Sequence, residues 1–249
     1  MREEFHQFFQ NDVWELVPRP QWVNVIGAKW IFKNKSDEHG IVIRNKLRLV
    51  AQGYTQVEGV DFDETFALVI RLESIQIPLA IAWYLNFKLY QIDVKHAFFN
   101  EMFQEEVYVE QLKGFVDPHR PNDVYKLKRA LSGLKQAPRT WSDRLMSYLI
   151  KNEFKRGNAD NTLFIQMDKK HFVVAQVYVD DIVFGSTNDN LAKFFADEMK
   201  KMFEISMVGE LTYFLGLQVK QTDKGIYINQ AKYAKKNSKE IWTWKCCSC

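Results

Sequence analysis

The sequence predicts an α+β fold in which helices pack on a sheet of mixed or antiparallel strands. Strand-like runs and helix-like stripes occur without regular alternation, which separates this chain from an alternating βα barrel. Several pairs of apolar runs are joined by short polar segments, as in antiparallel hairpins. Of the 249 residues, 47% are hydrophobic, which is enough for one large domain or two or three closely joined subdomains.

The first predicted hairpin lies near the N-terminus. Residues 28–35 and 41–51 are strand-like, and residues 36–40 have the composition of a turn. Apolar residues at positions 47, 49 and 51 alternate with Lys46 and Arg48. Because successive side chains of a strand point to opposite faces, one face should be apolar and the other should carry two cations.

A helix and a strand come next. The apolar residues at positions 72, 75, 79 and 83 share one helical face, although Pro78 lies inside this stripe and removes a backbone donor. Residues 87–93 then predict a strand that ends at Asp93.

The second half of the chain opens with a helix at Pro138, since proline is favourable at the first helical position. Residues 163–167 and 171–179 predict two strands. The second strand leads into Asp180–Asp181 and the apolar run 182–185, so a hairpin should present two carboxylates at its bend. The remaining predicted elements are a helix over 191–202 and a hairpin of strands 213–220 and 226–229.

Cysteine usage and hydropathy exclude several classes of protein. The only cysteines lie at positions 246, 247 and 249, so no disulfide framework is expected. No signal sequence is recognisable, and no run of about 18 apolar residues could cross a membrane. We therefore expect an intracellular, cytoplasmic protein that is neither secreted nor inserted in a membrane.

The distribution of charge is more informative than the net charge of +3. Basic residues concentrate in segments 29–56 and 124–156, with an acidic run at 101–110 between them. Such basic segments around isolated aspartates suit a polyanionic ligand whose chemistry needs metal. Taken alone, the charge pattern favours an ordinary solvated surface.

The Asp180–Asp181 pair is the most informative feature. Two adjacent acids repel each other, and a divalent metal ion relieves that repulsion because carboxylate oxygens are its preferred ligands. An exposed Asp-Asp turn is the alternative, but apolar residues on both sides place the pair at the end of a buried strand. If the strand ending at Asp93 lies beside this hairpin, the three carboxylates could hold two Mg²⁺ or Mn²⁺ ions about 4 Å apart. Asp93 could also cap a helix.

Three motifs in order carry a family resemblance. The segments 91–98 (Gln-Ile-Asp-Val-Lys-His-Ala-Phe), 131–139 (Leu-Ser-Gly-Leu-Lys-Gln-Ala-Pro-Arg) and 178–181 (Tyr-Val-Asp-Asp) resemble motifs A, B and C of copia-type LTR retrotransposon reverse transcriptases. Segments 14–18, 48–56 and 213–216 fit the same family in the same order. The resemblance covers residues 1–235 and implies a fingers–palm fold with a partial thumb.

The resemblance implies a role for each candidate residue. Asp93, Asp180 and Asp181 would bind the metals, and Phe98 would select deoxynucleotides, although it could instead pack in the core. Lys46 and Arg48 would neutralise the incoming triphosphate, unless they form a solvated strand face. Further implied substrate-binding residues are Gly133, Lys135, Gln136 and Tyr178, with Arg139 beside Lys135 as a phosphate contact. Phe214, Leu215 and Gly216 resemble a primer grip, with an ordinary buried strand as the alternative.

The implied function is that of an RNA-directed DNA polymerase within a retrotransposon Pol polyprotein. Its partners would be a primed RNA or DNA template, dNTPs and other Gag and Pol products in a virus-like particle. A catalytically inactive remnant that still binds nucleic acid, or a nuclease built on the same aspartates, remains open. Residues 236–249 lack periodicity and are interpreted as an aberrant C-terminal tail.

Overall fold

A computed structural model describes residues 2–36, 42–65, 72–95, 97–100, 105–231, 233–234 and 237–238. The chain divides into two compact units, one formed by residues 1–68 and 96–148 and the other by 69–95 and 149–249. The elements in chain order are α1 (Arg2–Gln10), β1 (Trp14–Val17), β2 (Val25–Ile26), β3 (Ala28–Ser36), β4 (Val42–Ala51), α2 (Leu72–Tyr84), β5 (Leu89–Val94), β6 (Tyr108–Glu110), β7 (Val124–Leu127), α3 (Ala137–Lys151), β8 (Lys155–Arg156), β9 (Leu163–Asp168), β10 (His171–Tyr178), β11 (Asp181–Ser186), α4 (Asp189–Met202), β12 (Ile205–Glu210), β13 (Tyr213–Phe214), β14 (Leu217–Thr222) and β15 (Gly225–Asn229).

The first unit contains a four-stranded sheet of order β1-β7-β6-β2, in which β2 and β6 are parallel, and the separate β3–β4 hairpin. Its core is built on stacked aromatic rings. Trp14 stacks on Phe8 at 4.6 Å and on Tyr125 at 4.5 Å between ring centroids. Leu49 and Ala51 are buried in the same core, so the base of the hairpin is fixed to it.

The second unit is built on a six-stranded sheet of order β12-β5-β11-β10-β9-β8, with antiparallel neighbours throughout. Val183 packs in a core with Ile75 and Leu79 of α2, whereas the next residue, Phe184, contacts Phe195 of α4 at 5.0 Å between ring centroids. Because adjacent strand residues face opposite ways, α2 and α4 cover opposite faces of this sheet. The predicted α+β class is therefore confirmed.

Most element predictions are confirmed within a few residues. The helix predicted over the apolar stripe is α2, which continues through a buried Pro78. The predicted strand 213–220 is wrong in one respect, because it is interrupted at Leu215–Gly216 and forms the separate strands β13 and β14. The turn predicted at 36–40 lies outside the described residues except for Ser36, and the predicted tail 236–249 does so except for residues 237 and 238. Within the described part of the chain, no helix has the length and apolar character needed to span a bilayer.

Candidate active site

The second unit brings three aspartates together at one end of its large sheet, where β5 ends and β11 begins. Asp93 on β5 lies directly opposite Asp181 on β11. The backbone amide of Val94 donates to the carbonyl oxygen of Asp180 at 2.8 Å, which joins the end of β5 to the hairpin tip. Directly opposite residues of antiparallel strands point to the same face, with Cβ atoms about 5 Å apart. The side chains of Asp93 and Asp181 therefore start from neighbouring positions on one face.

The hairpin tip is a tight two-residue turn. Tyr178 pairs with Asp181, so only Val179 and Asp180 connect β10 to β11. Val179 has a φ of 51°, in the left-handed region that a β-branched residue rarely adopts. Such backbone strain costs about 1–3 kcal/mol, which the pairing of β10 with β11 must offset. This strained turn holds Asp180 at the tip beside the two strand aspartates.

Neighbouring polar side chains hold two of these carboxylates. Gln91, on β5, donates through Nε2 to Oδ1 of Asp181 at 2.9 Å. Ser206, on β12, donates through Oγ to Oδ2 of Asp93 at 2.7 Å. Both donors are uncharged, so these bonds leave the negative charge of the carboxylates in place.

The electrostatics of the cluster suit a cation. Burial raises the pKa of the Asp181 carboxyl and the charges of Asp180 and Asp93 raise it further, against a lowering by the Gln91 hydrogen bond. The hard oxygen donors fit Mg²⁺ or Mn²⁺, which would offset this repulsion. With the side chains as they stand, no group of three acidic, histidine or cysteine residues in the described part of the chain is arranged to hold a metal ion.

Tyr178 and the predicted primer-grip residues lie in the same unit. The half-buried Tyr178 ring meets the buried Phe214 ring edge-on, with 6.3 Å between centroids. Leu215 and Gly216 have φ values of 47° and 85° and form the two-residue turn between β13 and β14. Two positive φ values are typical of the type I′ hairpin turn. The segment is therefore a tight hairpin packed beside Tyr178 and not a continuous strand.

The predicted triphosphate and sugar contacts lie in the first unit. Lys46 is on β4 opposite Lys33, and its side chain lies outside what the structure describes. Arg48, opposite Ile31 on the same strand, is exposed. Phe98 lies in the short 3₁₀ helix Ala97–Asn100, half-buried against the apolar core of this unit. Phe98 therefore packs against the core, which is the alternative role that the sequence analysis gave for it.

The loop that precedes α3 is anchored by a buried polar network. Gln136 accepts a hydrogen bond from Nε2 of Gln56 at 2.9 Å and donates to the carbonyl oxygen of Asp61 at 3.0 Å. Its side chain is 1% exposed. Gln136, predicted to bind substrate, is thus buried and hydrogen-bonded within the protein. Gly133 has a φ of 95°, and a Cβ there would lie 2.3 Å from the carbonyl oxygen of Ala51.

The two predicted phosphate contacts of this region already have protein partners. The ammonium of Lys135 lies 3.3 Å from the carbonyl oxygen of Gln56 and 4.7 Å from the centroid of the Phe62 ring. Arg139 forms ion pairs with Glu64 at 2.7 Å and with Asp143 at 3.5 Å. Since both cations are partly exposed, a phosphate would compete with these partners for them.

Sequence reasoning missed Gln91 and Ser206. Gln91 stands two residues before Asp93, and this spacing on a predicted strand places both side chains on one face. That signal was available. Ser206 is brought to Asp93 only by the pairing of β12 with β5, for which the sequence gives no local indication.

Comparisons with known proteins agree with the motifs. A family model described as "Reverse transcriptase (RNA-dependent DNA polymerase)" matches residues 11–248. The chain is 39% identical over 234 residues to the retrovirus-related Pol polyprotein from transposon RE1 of Arabidopsis thaliana, an alignment that covers 94% of this chain and 16% of that protein. It is 31% identical over 236 residues to the Pol polyprotein from transposon TNT 1-94 of Nicotiana tabacum, covering 94% and 18%. The chain thus spans less than a fifth of either relative.

Among solved structures, an apo telomerase from Candida tropicalis truncated from its C-terminal domain aligns over 91% of this chain and 59% of that chain. Its TM-score is 0.47 and its sequence identity 9%. The family match continues through the segment 236–248, which the sequence analysis set apart as a tail. The boundary at residue 235 stays a prediction.

Proposed function

Because the chain belongs to the copia-type branch of the reverse transcriptase (RNA-dependent DNA polymerase) family, we propose that it extends a primer with dNTPs on an RNA or DNA template. It would do so as one module of a retrotransposon Pol polyprotein, since it spans 16% of its RE1 relative. The observation that carries the proposal is the position of Asp93 opposite Asp181, beside the strained turn that holds Asp180.

The three carboxylates would bind two Mg²⁺ or Mn²⁺ ions, which when bound stabilise negative charge on the attacking and leaving oxygens. In the reaction the primer 3′-hydroxyl attacks the α-phosphate of the dNTP, the bond to the β-phosphate breaks, and pyrophosphate leaves. The contribution of the protein is mainly to position the reactants. Asp93 and Asp181 are suited to this role because paired strands fix their backbones.

Residues of the first unit are proposed to bind the nucleotide. Lys46 and Arg48 would neutralise the triphosphate through charge-assisted hydrogen bonds. Phe98 would exclude a ribose 2′-hydroxyl and so select deoxynucleotides. Gly133 and Gln136 would act by fixing the loop that carries Lys135, because the Gln136 amide is itself buried.

In the second unit, the hairpin of Phe214, Leu215 and Gly216 would hold the primer end, and Tyr178 would bind substrate beside it. The contact between the Tyr178 and Phe214 rings supports a common role for the two segments. Their place in one unit with the three aspartates also supports it.

Primer extension tests the proposal directly. Replacing Asp93, Asp180 or Asp181 by Asn should abolish Mg²⁺- or Mn²⁺-dependent extension of a labelled primer, while fluorescence anisotropy should show nucleic-acid binding largely retained. Asp168→Asn is the matched control, since Asp168 is an exposed acid at the end of β9. It lies opposite His171, at the end of β10 that is away from the Asp180–Asp181 turn. Wild-type extension by an aspartate variant would refute the assignment.

The same assay separates the alternatives. A wild-type chain that binds the primed template without incorporating nucleotide would be a remnant or a nucleic-acid-binding protein. A labelled primer that becomes shorter would indicate a nuclease. Either result would overturn the polymerase proposal for this chain.

The setting of this activity is also a proposal. By the same resemblance the chain would act in the cytoplasm, in a virus-like particle with Gag and other Pol products. Co-sedimentation of the chain with Gag particles would support this setting, and its absence from purified particles would contradict it.

A further inference from the structure

We propose that Gln91 and Ser206 are positioning residues that orient the Asp181 and Asp93 carboxylates for divalent metal binding. This inference rests on the proposed function and deepens it. It assigns roles to two uncharged side chains that lie outside the three-aspartate set.

Gln91 reaches Asp181 from the neighbouring strand. It stands two residues before Asp93 on β5, so both side chains point to the face that also carries Asp181. Its amide occupies Oδ1 of Asp181 at 2.9 Å. A carboxylate has about four acceptor positions, so Oδ2 of Asp181 remains available to a metal ion. The bond thus fixes the direction of the carboxylate while leaving it able to bind.

Ser206 performs the same task for Asp93 from the other side of β5. The two residues are opposite each other in the β5–β12 pairing, and Oγ occupies Oδ2 of Asp93 at 2.7 Å. The register of β12 shifts between Ser206 and Val208. A bulge of this kind re-aims side chains and is common beside active sites. The irregularity in β12 therefore lies next to the residue that meets Asp93.

The chemical nature of the donors supports positioning over charge compensation. An ammonium or guanidinium group in the same place would neutralise a carboxylate and compete with the metal ion for it. An amide and a hydroxyl supply direction without that competition. Hydrogen-bonding partners of metal ligands generally act in this way, and their loss weakens metal affinity about 10–100-fold.

Metal binding without catalysis is the decisive measurement. Mn²⁺ is titrated into the whole chain in the absence of nucleic acid and followed by the electron paramagnetic resonance signal of free Mn²⁺. Gln91→Met and Ser206→Ala should each weaken Mn²⁺ binding about 10–100-fold. Ser206→Thr keeps the hydroxyl and should restore the affinity.

Gln166→Met is the matched control for a purely structural effect. Gln166 lies on β9 of the same sheet, and its Nε2 donates to the backbone carbonyl of Asn152 at 2.8 Å. The control variant should bind Mn²⁺ as wild type does, even where its urea midpoint falls as much as that of Gln91→Met. This comparison separates a loss of Mn²⁺ binding that comes from a misdirected carboxylate from one that comes from a destabilised sheet.

Two results separate this inference from the proposed function. If wild type binds Mn²⁺ and Asp181→Asn does not, but Gln91→Met binds as tightly as wild type or tighter, the positioning role is overturned and the metal site stands. If wild type takes up no Mn²⁺, or Asp181→Asn binds it equally well, the proposed metal site and the positioning role both fail.

Discussion

The buried amides of Gln56 and Gln136 should be strongly coupled in their effect on stability. Nε2 of Gln56 donates to Oε1 of Gln136, Nε2 of Gln136 donates to the carbonyl oxygen of Asp61, and Oε1 of Gln56 accepts from the amide of Lys135. The two side chains are 4% and 1% exposed. Replacing either glutamine by Met preserves most of its volume but removes two of these three bonds.

The magnitude follows from the groups left unsatisfied. Gln136→Met would leave the side-chain amide of Gln56 and the carbonyl oxygen of Asp61 without these partners. Gln56→Met would likewise leave Oε1 of Gln136 and the backbone amide of Lys135 without theirs. At roughly 1–2 kcal/mol for each such group, each variant should lose about 2–4 kcal/mol of unfolding free energy. The double variant also leaves two groups, the Asp61 carbonyl and the Lys135 amide. It should therefore lose about as much as either single variant, which is a coupling of about 2–4 kcal/mol.

Urea unfolding of the four proteins, followed by tryptophan fluorescence, measures this coupling. Equal dependence of the unfolding free energy on urea concentration would show that the same structure unfolds in each. A double variant whose loss equals the sum of the single losses within about 0.5 kcal/mol would refute the paired-amide geometry. Losses near zero in all variants would show that the network is not buried as the structure has it.

Two further predictions concern the acidic cluster and the loop before α3. The folded-state pKa of Asp181 is raised, so the stability that its protonation contributes is complete below the unfolded-state pKa and is lost as pH rises through the folded-state pKa. Asp181→Asn should therefore raise the urea midpoint of the metal-free chain at pH 7 and leave it unchanged in acid. Equal midpoints for the variant and wild type at pH 7 would contradict this. Gly133→Ala should cost about 2–5 kcal/mol by urea unfolding, from its positive φ and the overlap with Ala51. Gly59→Ala is the control, because Gly59 also has a positive φ but a Cβ there would meet no neighbouring atom, and it should cost about 1–2 kcal/mol. Equal losses of unfolding free energy in the two variants would exclude the overlap with Ala51.

Local patterns account for the parts of the fold that were predicted correctly. The hairpin that carries Asp180 and Asp181 was predictable because apolar runs flank the acids on both sides. Helix α2 was predictable from the spacing of its apolar residues. Pro78 did not end it, because tertiary packing overrides the local penalty where the apolar face is buried.

Features that depend on distant partners were not predictable from local patterns. The buried position of Gln136 depends on Gln56 and Asp61, which nothing near Gln136 in the sequence indicates. A glutamine in a motif therefore favoured a ligand contact. The break between β13 and β14 was missed for another reason, since Leu215 resembles a strand residue and only Gly216 indicated a turn.

The lysine that follows β5 shows how the chain keeps negative charge at the hairpin tip. Lys95 lies two residues beyond Asp93, yet its ammonium pairs with Glu204 at 3.0 Å. An ammonium placed on Asp93 would relieve the repulsion among the aspartates, but it would also occupy the position of a metal ion. Glu204 engages Lys95, while uncharged Gln91 and Ser206 hold the aspartates. Burial and the charges of Asp180 and Asp93 therefore keep the pKa of Asp181 raised, and a divalent cation bound there would offset the repulsion.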